Sequence, residues 1–326
     1  MLQVHKQVKV GLPNAPGPEV TTHPPSHSDA TRGLLAALAV VMFWSGFNIV
    51  SRFGATSSFT PFDIAALRFG VSGAIALPLY LYFVPRGDWP RHMVLAAVAG
   101  LGYGILVYSG FAFAPSAHAG VFVNGGIPFW TIVIMAVTSG FRIARPTVVA
   151  LLLSTSGLML IGFESLFAAD ARAGEWIGDL LFLGAALCWA VFGLLMRRWQ
   201  IKPLYGMLGI ATFAALAYLP VYMLWLPGNL AAQSWGAITL QGVYQGVIAA
   251  LVAGGFYSYA VQKVGASEAS MMLALVPAVT AVGAFLILGE ALGLTTIVGI
   301  VVVSIGALLG ALPPAALARL RAFGTR

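Results

Sequence analysis

The sequence predicts an all-α integral membrane protein with ten transmembrane helices, arranged as two inverted five-helix repeats around a central cavity. Three observations predict this fold. Of the 326 residues, 60% are hydrophobic and 8% are charged, whereas a soluble domain carries about 25% charged residues. Ten apolar segments, each long enough to cross a bilayer, follow one another. The two halves of this apolar region share motifs at a nearly constant offset.

The apolar segments are predicted to be helices. Backbone groups in lipid must be hydrogen-bonded within the protein, which leaves helices and closed barrels. The segments exceed about 18 residues and lack the polar alternation of barrel strands, so helices are favoured. The predicted spans are residues 33–53, 63–84, 92–113, 117–139, 145–163, 178–197, 204–226, 238–262, 268–288 and 294–312.

The chain is predicted to divide into two repeats with tails. Residues 32–163 form the first repeat and residues 178–312 the second, joined by a periplasmic linker at 164–177. Residues 1–31 are polar and proline-rich, and we expect a disordered cytoplasmic tail there. Residues 313–326 form a basic cytoplasmic tail.

The basic residues predict the orientation, since cytoplasmic loops are enriched in Lys and Arg. With a cytoplasmic N-terminus, 14 of the 17 Lys and Arg residues lie on the cytoplasmic side, and Arg52, Arg68 and Arg172 do not. We therefore expect both termini in the cytoplasm and the protein in the inner membrane. Because these basic residues lie in short loops and tails, no nucleic-acid surface is predicted. The expected partners are the lipid bilayer and a small-molecule substrate.

Repeated motifs relate the two halves. Pro128 and Pro277 lie 149 positions apart. The same offset, or one of 145, relates Tyr108 to Tyr257, Gly157 to Gly306, Trp44 to Trp189 and Phe47 to Phe192. Because each repeat has an odd number of spans, the second enters the membrane from the opposite side. Inverted repeats of this kind are a basis of alternating access.

Polar and aromatic side chains within spans are candidates for a substrate cavity, because polar groups are costly in lipid. Asn48 lies about one turn beyond Trp44, and its alternative role is a hydrogen bond to a neighbouring helix. Interface anchoring is the alternative for Tyr244, and core filling for Met271. The candidate cavity residues are Trp44, Phe47, Asn48, Tyr103, Asn124, Trp189, Tyr244, Gln245, Tyr259 and Met271.

The two repeated prolines predict kinked helices. Pro128 lacks the backbone donor that would reach the carbonyl of Asn124, so a kink is expected in the fourth span. Pro277 has the equivalent place in the ninth span, and we expect the substrate path between these spans. Close helix packing is the alternative role of the glycines. The candidate hinge or kink residues are Gly125, Gly126, Pro128, Gly254, Gly255 and Pro277.

Four charged or titratable residues are candidates for gating or coupling. Arg68 lies five residues into its predicted span and has three alternative roles: an outer gate, a carboxylate-binding group, or a side chain that snorkels to the surface, the last being favoured. Lys263 and Glu268 form a candidate inner gate or a solvated loop pair. His118 is a candidate coupling group, since imidazole titrates near neutral pH. No Asp or Glu lies in the middle of a span, which favours a uniporter, an exchanger, or weak coupling through a less obvious group.

Motifs in both repeats resemble a known family. They are FWSGFNIVSRFG (43–54), PFDIAALRF (61–69), WAVFGLLMRR (189–198), GFRIARPTVVALLLSTSGLMLIG (140–162) and LGEALGLTTIVGIVVVSIGALLG (288–310). With these motifs the chain resembles the drug/metabolite transporter superfamily, in particular its ten-helix EamA-type members, over about residues 33–312. The resemblance implies a transporter, most often an exporter, of amino acids or related metabolites, similar to bacterial aromatic amino-acid exporters.

The predicted function is therefore export of aromatic or other apolar amino acids, or related metabolites, by alternating access. One alternative is an exporter of hydrophobic or cationic drugs and amines. Another is a non-transporting membrane scaffold, which a solidly packed bundle would indicate. The sequence has no HExxH motif, glycine-rich phosphate loop or paired carboxylates, so no enzyme activity, cofactor or metal is predicted. The sequence does not determine the oligomeric state and is compatible with a monomer.

Overall fold

The structure, a computed structural model, describes residues 27–139, 145–167 and 173–312, and ten long helices account for most of these residues. All ten are long and apolar enough to cross a membrane, and no strand occurs within these residues. The regular helices are α1 His27–Thr56, α2 Pro61–Phe83, α4 Ser116–Ser139, α5 Arg145–Phe167, α6 Glu175–Trp199, α7 Pro203–Trp225 and α10 Leu294–Ala311. The protein is thus an all-α integral membrane protein, as predicted.

Three helices are irregular. Helix α3 comprises Trp89–Leu95, a π-helical stretch Ala96–Gly102, and Tyr103–Phe113. Helix α8 comprises Trp235–Gln241, a π-helical stretch Gly242–Val252, and Ala253–Val264. In each, an amide donates to the carbonyl five residues earlier: Tyr103 to Val98 and Ala253 to Ile248. Helix α9 is broken between Ala266–Leu273 and Val276–Leu288. The sequence analysis did not predict the π-helical stretches, which occupy equivalent places in the two repeats.

Helix packing follows the internal repeat. Helix α2 packs on α7, and α5 packs on α10. Helix α1 packs on α8 and α9, just as α6 packs on α3 and α4. Helix α2 also packs on α8, as α7 does on α3. Because each pair has a counterpart in the other half, the bundle has the pairing expected for two inverted five-helix repeats.

Helix α1 begins earlier in the chain than predicted. Helix α1 begins at His27, inside the stretch 1–31 that was expected to be disordered. Asp29 lies in its first turn, where an acidic side chain is favoured by the helix dipole. The rest of that tail, the linker residues 168–172, Arg142 and the basic tail 313–326 lie outside the described residues.

The outer surface of the bundle suits lipid. Large apolar side chains are exposed all along the helices. Near the helix ends, Tyr82, Trp225 and Trp235 are 82%, 73% and 84% exposed. Aromatic side chains at these levels form the belts that meet the membrane–water interface. The exposed apolar surface is therefore the face turned to the bilayer.

Candidate functional site

A cavity of about 500 Å³ occupies the centre of the bundle. Seven helices line it: α1, α2, α3, α4, α6, α7 and α8. The lining extends to Met196 in the last turn of α6, Pro203 at the start of α7 and Gln262 in the last turn of α8. These three residues lie at the end of the bundle where α1 begins. We call this the open end, and the opposite end the closed end.

Aromatic rings form much of the cavity wall. Trp44 lies 5.9 Å from Tyr257, and Tyr103 lies edge-on 5.5 Å from Trp189, between ring centroids. Trp189 also packs edge-on against Phe192 at 4.9 Å. All five residues line the cavity. The repeated motif Trp-x-x-Phe thus supplies equivalent wall residues from α1 and α6.

Two amide side chains line the cavity with their oxygens available. Asn48 Nδ2 donates to Thr280 Oγ1 at 3.2 Å, and Asn124 Nδ2 donates to the carbonyl of Gly120 at 2.8 Å. Neither amide oxygen accepts a hydrogen bond from the residues that the structure describes. Amide oxygens are acceptors, so each can receive a donor from an occupant of the cavity.

Arg68 is the one charged side chain among the described lining residues. Its guanidinium carbon lies 5.6 Å from the ring centroid of Phe47 and 5.9 Å from that of Tyr103. Its Nη1 donates to the hydroxyl of Tyr108 at 3.5 Å. The favoured interpretation of Arg68 as a snorkelling side chain was wrong, because these rings hold the guanidinium in the cavity rather than at the membrane surface.

A hydrogen-bond chain continues from Tyr108 toward the closed end. Its hydroxyl donates to Gln245 Oε1 at 3.0 Å. Gln245 Nε2 donates in turn to Ser51 Oγ at 3.0 Å, and Gln241 Nε2 donates to the carbonyl of Val50 at 2.8 Å. Gln245 is fully buried in this chain. It therefore fixes Tyr108 behind Arg68 and does not reach the cavity itself.

A buried ion pair closes the far end of the cavity. Arg52 of α1 donates from Nε to Glu290 Oε1 at 2.9 Å, and from Nη1 to the carbonyl of Phe111. The other oxygen of Glu290 accepts from the amide of Ser116 at 3.0 Å. Arg52 and Glu290 are 4% and 8% exposed. This group, the Arg52–Glu290 lock, joins α1, α3, α4 and the end of α9.

His118 belongs to a second buried cluster at the closed end. Its Nδ1 lies 2.8 Å from Asp179 Oδ1, and its Nε2 lies 3.4 Å from Glu175 Oε1. Ser165 donates to the second oxygen of Asp179 at 2.6 Å. This His118 cluster joins α4, α5 and α6. The residue that the sequence marked as a coupling candidate is thus part of the helix contacts that close the cavity.

Four candidate cavity residues lie outside the lining: Tyr244, Gln245, Tyr259 and Met271. Tyr244 packs on α1, where its hydroxyl reaches the carbonyl of Phe43 at 3.4 Å over the small Gly46. Tyr259 is 40% exposed. Gln245 and Tyr259 lie 14 residues apart, which is close to four turns of a regular α-helix. The π-helical stretch Gly242–Val252 between them has wider turns, so the residues after it point in other directions than regular helical spacing predicts. Met271 is outside because α9 packs behind α1 and α4 and contributes no described lining residue.

The candidate hinge residues differ in their surroundings. Pro128 lies within a continuous α4, whereas Pro277 is the second residue of Val276–Leu288, the second part of the broken α9. The expected substrate path between α4 and α9 does not appear in this structure, since α4 lines the cavity and no described residue of α9 does. Gly125 packs against Val303 and Leu158, and Gly126 packs against Ala186 and Leu183. These contacts match the alternative role of both glycines, which was close helix packing. Gly254 lines the cavity, and Gly255 faces open space.

Lys263 and Glu268, the candidate inner gate, do not form an ion pair with each other. Lys263 Nζ binds Asp29 Oδ1 at 2.7 Å, between α8 and the start of α1. Glu268 is exposed. The sequence suggested Lys263 and Glu268 because they are close along the chain, whereas Asp29 is far away in sequence and lies in a segment that was expected to be disordered.

The sequence analysis missed several residues of the site. Tyr257, Ser258, Met196 and Met207 line the cavity, and Arg52 with Glu290 closes it. Phe192 was recognisable as the repeat equivalent of Phe47. No sequence signal links Arg52 to Glu290, since the two lie 238 positions apart in the chain.

Known proteins share this architecture. A solved crystal structure, described only as that of a protein, is 21% identical and aligns over 90% of this chain and 99% of its own, with a TM-score of 0.58. An uncharacterized transporter of Bacillus subtilis (strain 168), YyaM, is 22% identical over 266 residues, which cover 77% of this chain and 84% of the relative. The EamA-like transporter family matches residues 31–163 and again residues 176–311. The chain is therefore a member of the EamA-like transporter family.

Proposed function

We propose that this transporter exports amino acids with aromatic or other apolar side chains, or related metabolites, from the cytoplasm by alternating access. One observation carries the proposal: a central cavity that is open at one end of the bundle and closed at the other by buried polar contacts. Inverted repeats allow such a cavity to exchange its open and closed ends about a central site.

The cavity matches a small amphipathic substrate. Its volume of about 500 Å³ lies within the range of about 300–1,000 Å³ of small-molecule sites. Trp44, Trp189 and Tyr257 offer ring faces and edges to an apolar side chain. The oxygens of Asn48 and Asn124 suit an ammonium group, which has donors only. An amino acid with an apolar side chain combines these two requirements.

The alternatives fit less well. A hydrophobic or cationic amine would share the cavity with the guanidinium of Arg68, without a carboxylate among the described lining residues to attract it. A non-transporting scaffold would have a packed interior, whereas this bundle contains a cavity that reaches one end.

The charge distribution supports loading from the cytoplasm. At the open end, Arg197 and Arg198 lie in the last turn of α6, and Lys202 directly precedes α7. Lys263 lies there too, in the last turn of α8. Under the positive-inside rule this end faces the cytoplasm of the inner membrane, so that α1 begins and α10 ends on the cytoplasmic side. A substrate that enters the cavity from the cytoplasm and leaves it on the other side of the membrane is exported.

Counterflow in proteoliposomes tests the proposal. Purified protein is expected to exchange labelled phenylalanine, and a panel run with and without a pH gradient separates exchange from proton-linked transport. Trp44→Ala removes a cavity ring and is expected to lower the rate by about 10-fold or more. Trp225→Ala is the matched control, because Trp225 is 73% exposed on the outer surface. The proposal fails if no amino acid in the panel crosses the bilayer.

A further inference from the structure

We propose that Arg68 binds the carboxylate of the substrate, so that the transporter requires a carboxylate on its cargo and discriminates against amines of the same shape. This inference rests on the proposed function and specifies the chemistry of its site. The preferred class is an organic acid or amino acid with one carboxylate and an apolar body. An ammonium group is tolerated and is not required.

The two arginines of the closed half of the bundle differ in their partners. Arg52 has a carboxylate and a backbone carbonyl. The Arg68 guanidinium has neither within the residues that the structure describes; its one hydrogen-bond partner there is a neutral hydroxyl, that of Tyr108, at 3.5 Å. A charge inside a membrane is costly unless it is paired or serves a ligand. Arg68 is thus a cation without an anion, at a place where an occupant of the cavity can supply one.

The position of Arg68 excludes a role at the membrane surface. It lies seven residues after Pro61, the first residue of α2, which places its backbone about 10 Å along the helix at 1.5 Å per residue. Phe47 and Tyr103 lie beside its guanidinium carbon at 5.6 and 5.9 Å. These cation–π contacts stabilise the charge without using a carboxylate or carbonyl acceptor.

The guanidinium retains donors for a ligand. Arginine has five N–H groups in a planar fork that matches two carboxylate oxygens. Tyr108 accepts from Nη1, and Tyr108 is itself fixed by Gln245. No Asp or Glu occurs among the described lining residues. A substrate carboxylate therefore meets no competing anion in that lining.

The Asn48 and Asn124 oxygens explain why an ammonium group is tolerated. Both line the same cavity as Arg68, and both amides use their nitrogen for contacts within the protein. An acceptor on one part of the wall and a cation on another can orient an α-amino acid by its two charged groups. The amide oxygens are neutral, so they contribute less than the Arg68 charge does.

A matched ligand series tests the inference on the wild-type protein. Phenylalanine, 3-phenylpropionate and phenethylamine share a phenyl ring, but phenethylamine lacks the carboxylate and 3-phenylpropionate lacks the ammonium group. Binding is measured by calorimetry on purified protein, and transport by counterflow. Phenethylamine is expected to bind at least about 10-fold more weakly than the two carboxylates, since a charged hydrogen-bonded partner is lost. Equal binding of phenethylamine and phenylalanine would overturn the inference.

Variants assign the preference to Arg68. Arg68→Gln is expected to abolish the difference in binding affinity between phenylalanine and phenethylamine. Arg68→Lys keeps the charge but loses the bidentate contact, so it should retain part of that difference. Arg91→Gln is the matched control, because Arg91 is half-exposed and outside the cavity lining. A preference unchanged in Arg68→Gln contradicts the assignment. If Arg68→Gln does not fold, the ligand series on the wild-type protein still decides the inference.

The two proposals fail in different ways. Transport of phenylalanine and phenethylamine at equal rates leaves a transporter without a carboxylate site. If 3-phenylpropionate binds but no amino acid is transported, the anion-binding role of Arg68 is supported and the proposed amino-acid cargo is wrong.

Discussion

The two ends of the bundle are held together by different chemistry. At the closed end, the Arg52–Glu290 lock and the His118 cluster join α1, α3, α4, α5, α6 and the end of α9 through buried charged groups. At the open end, α1 and α8 are joined by Lys263 and Asp29, which are 33% and 35% exposed. Removal of one partner of a buried ion pair strongly destabilises the fold. An exposed ion pair contributes little to stability.

This difference indicates how an alternating transporter can hold one end shut. A closed end must exclude water, so its contacts lie in a medium where a missing partner is costly. An open end admits water, so the partly exposed Lys263–Asp29 pair there is screened. The asymmetry also shows that the two repeats are not equivalent in detail: the lock uses Glu290 near the end of α9, and the equivalent position in the first repeat is occupied by Phe141.

The largest expected effect comes from breaking the lock on one side. Arg52→Gln leaves Glu290 buried without its cation, which destabilises the closed end by about 3 to 5 kcal/mol. A reporter cysteine, Ala250→Cys in the cavity wall with Cys188→Ser, should then react with a membrane-impermeant thiol reagent from the closed-end face. The double variant Arg52→Gln, Glu290→Gln is the control and should react less, because it removes both charges. Equal reactivity of the single and double variants would show that the charge pair does not close this end.

A smaller effect is expected from the His118 cluster. Asp179→Asn keeps the shape of the side chain but weakens the contacts with His118 and Ser165, at a cost of about 1.5 to 3 kcal/mol. Labelling of the Ala250→Cys reporter from the closed-end face should rise, but less than in Arg52→Gln. Ser165→Ala removes a single donor to Asp179 and should have less effect than Asp179→Asn. A larger effect of Ser165→Ala would contradict this order.

The smallest effect is expected at the open end. Lys263→Gln removes an ion pair that water already screens, so the unfolding temperature and the labelling pattern should not change measurably. Thermal unfolding monitored by tryptophan fluorescence provides the measurement. A loss of stability comparable with that of Arg52→Gln would show that the open end is held by this pair and that the two ends are alike.

The sequence predicted the helices and part of the cavity, for identifiable reasons. Whether a segment forms a membrane span depends on its local composition, which can be determined without knowledge of tertiary contacts. Trp44, Phe47 and Trp189 were found because the internal repeat marks equivalent positions. Asn48 and Asn124 were found because polar side chains are rare in apolar spans. All five line the cavity.

The remaining parts depend on contacts and backbone geometry that the sequence does not encode locally. The orientation of Tyr259 was misassigned because the π-helical stretch Gly242–Val252 changes the helical repeat. Arg68 was assigned to the surface because its depth was estimated from one helix alone, without Phe47 and Tyr103 beside it. The partner of Lys263 was missed because Asp29 lies 234 positions away.

Sided labelling of the Ala250→Cys reporter, in the Cys188→Ser background and with the lock intact, tests the central claim most directly. An impermeant thiol reagent should react from the face bearing the open end and not from the opposite face, because the cavity reaches one end alone. Addition of phenylalanine on both sides should allow labelling from the closed-end face as the cavity alternates. Equal labelling from both faces without substrate, or labelling from neither face, would contradict a single cavity with alternating access.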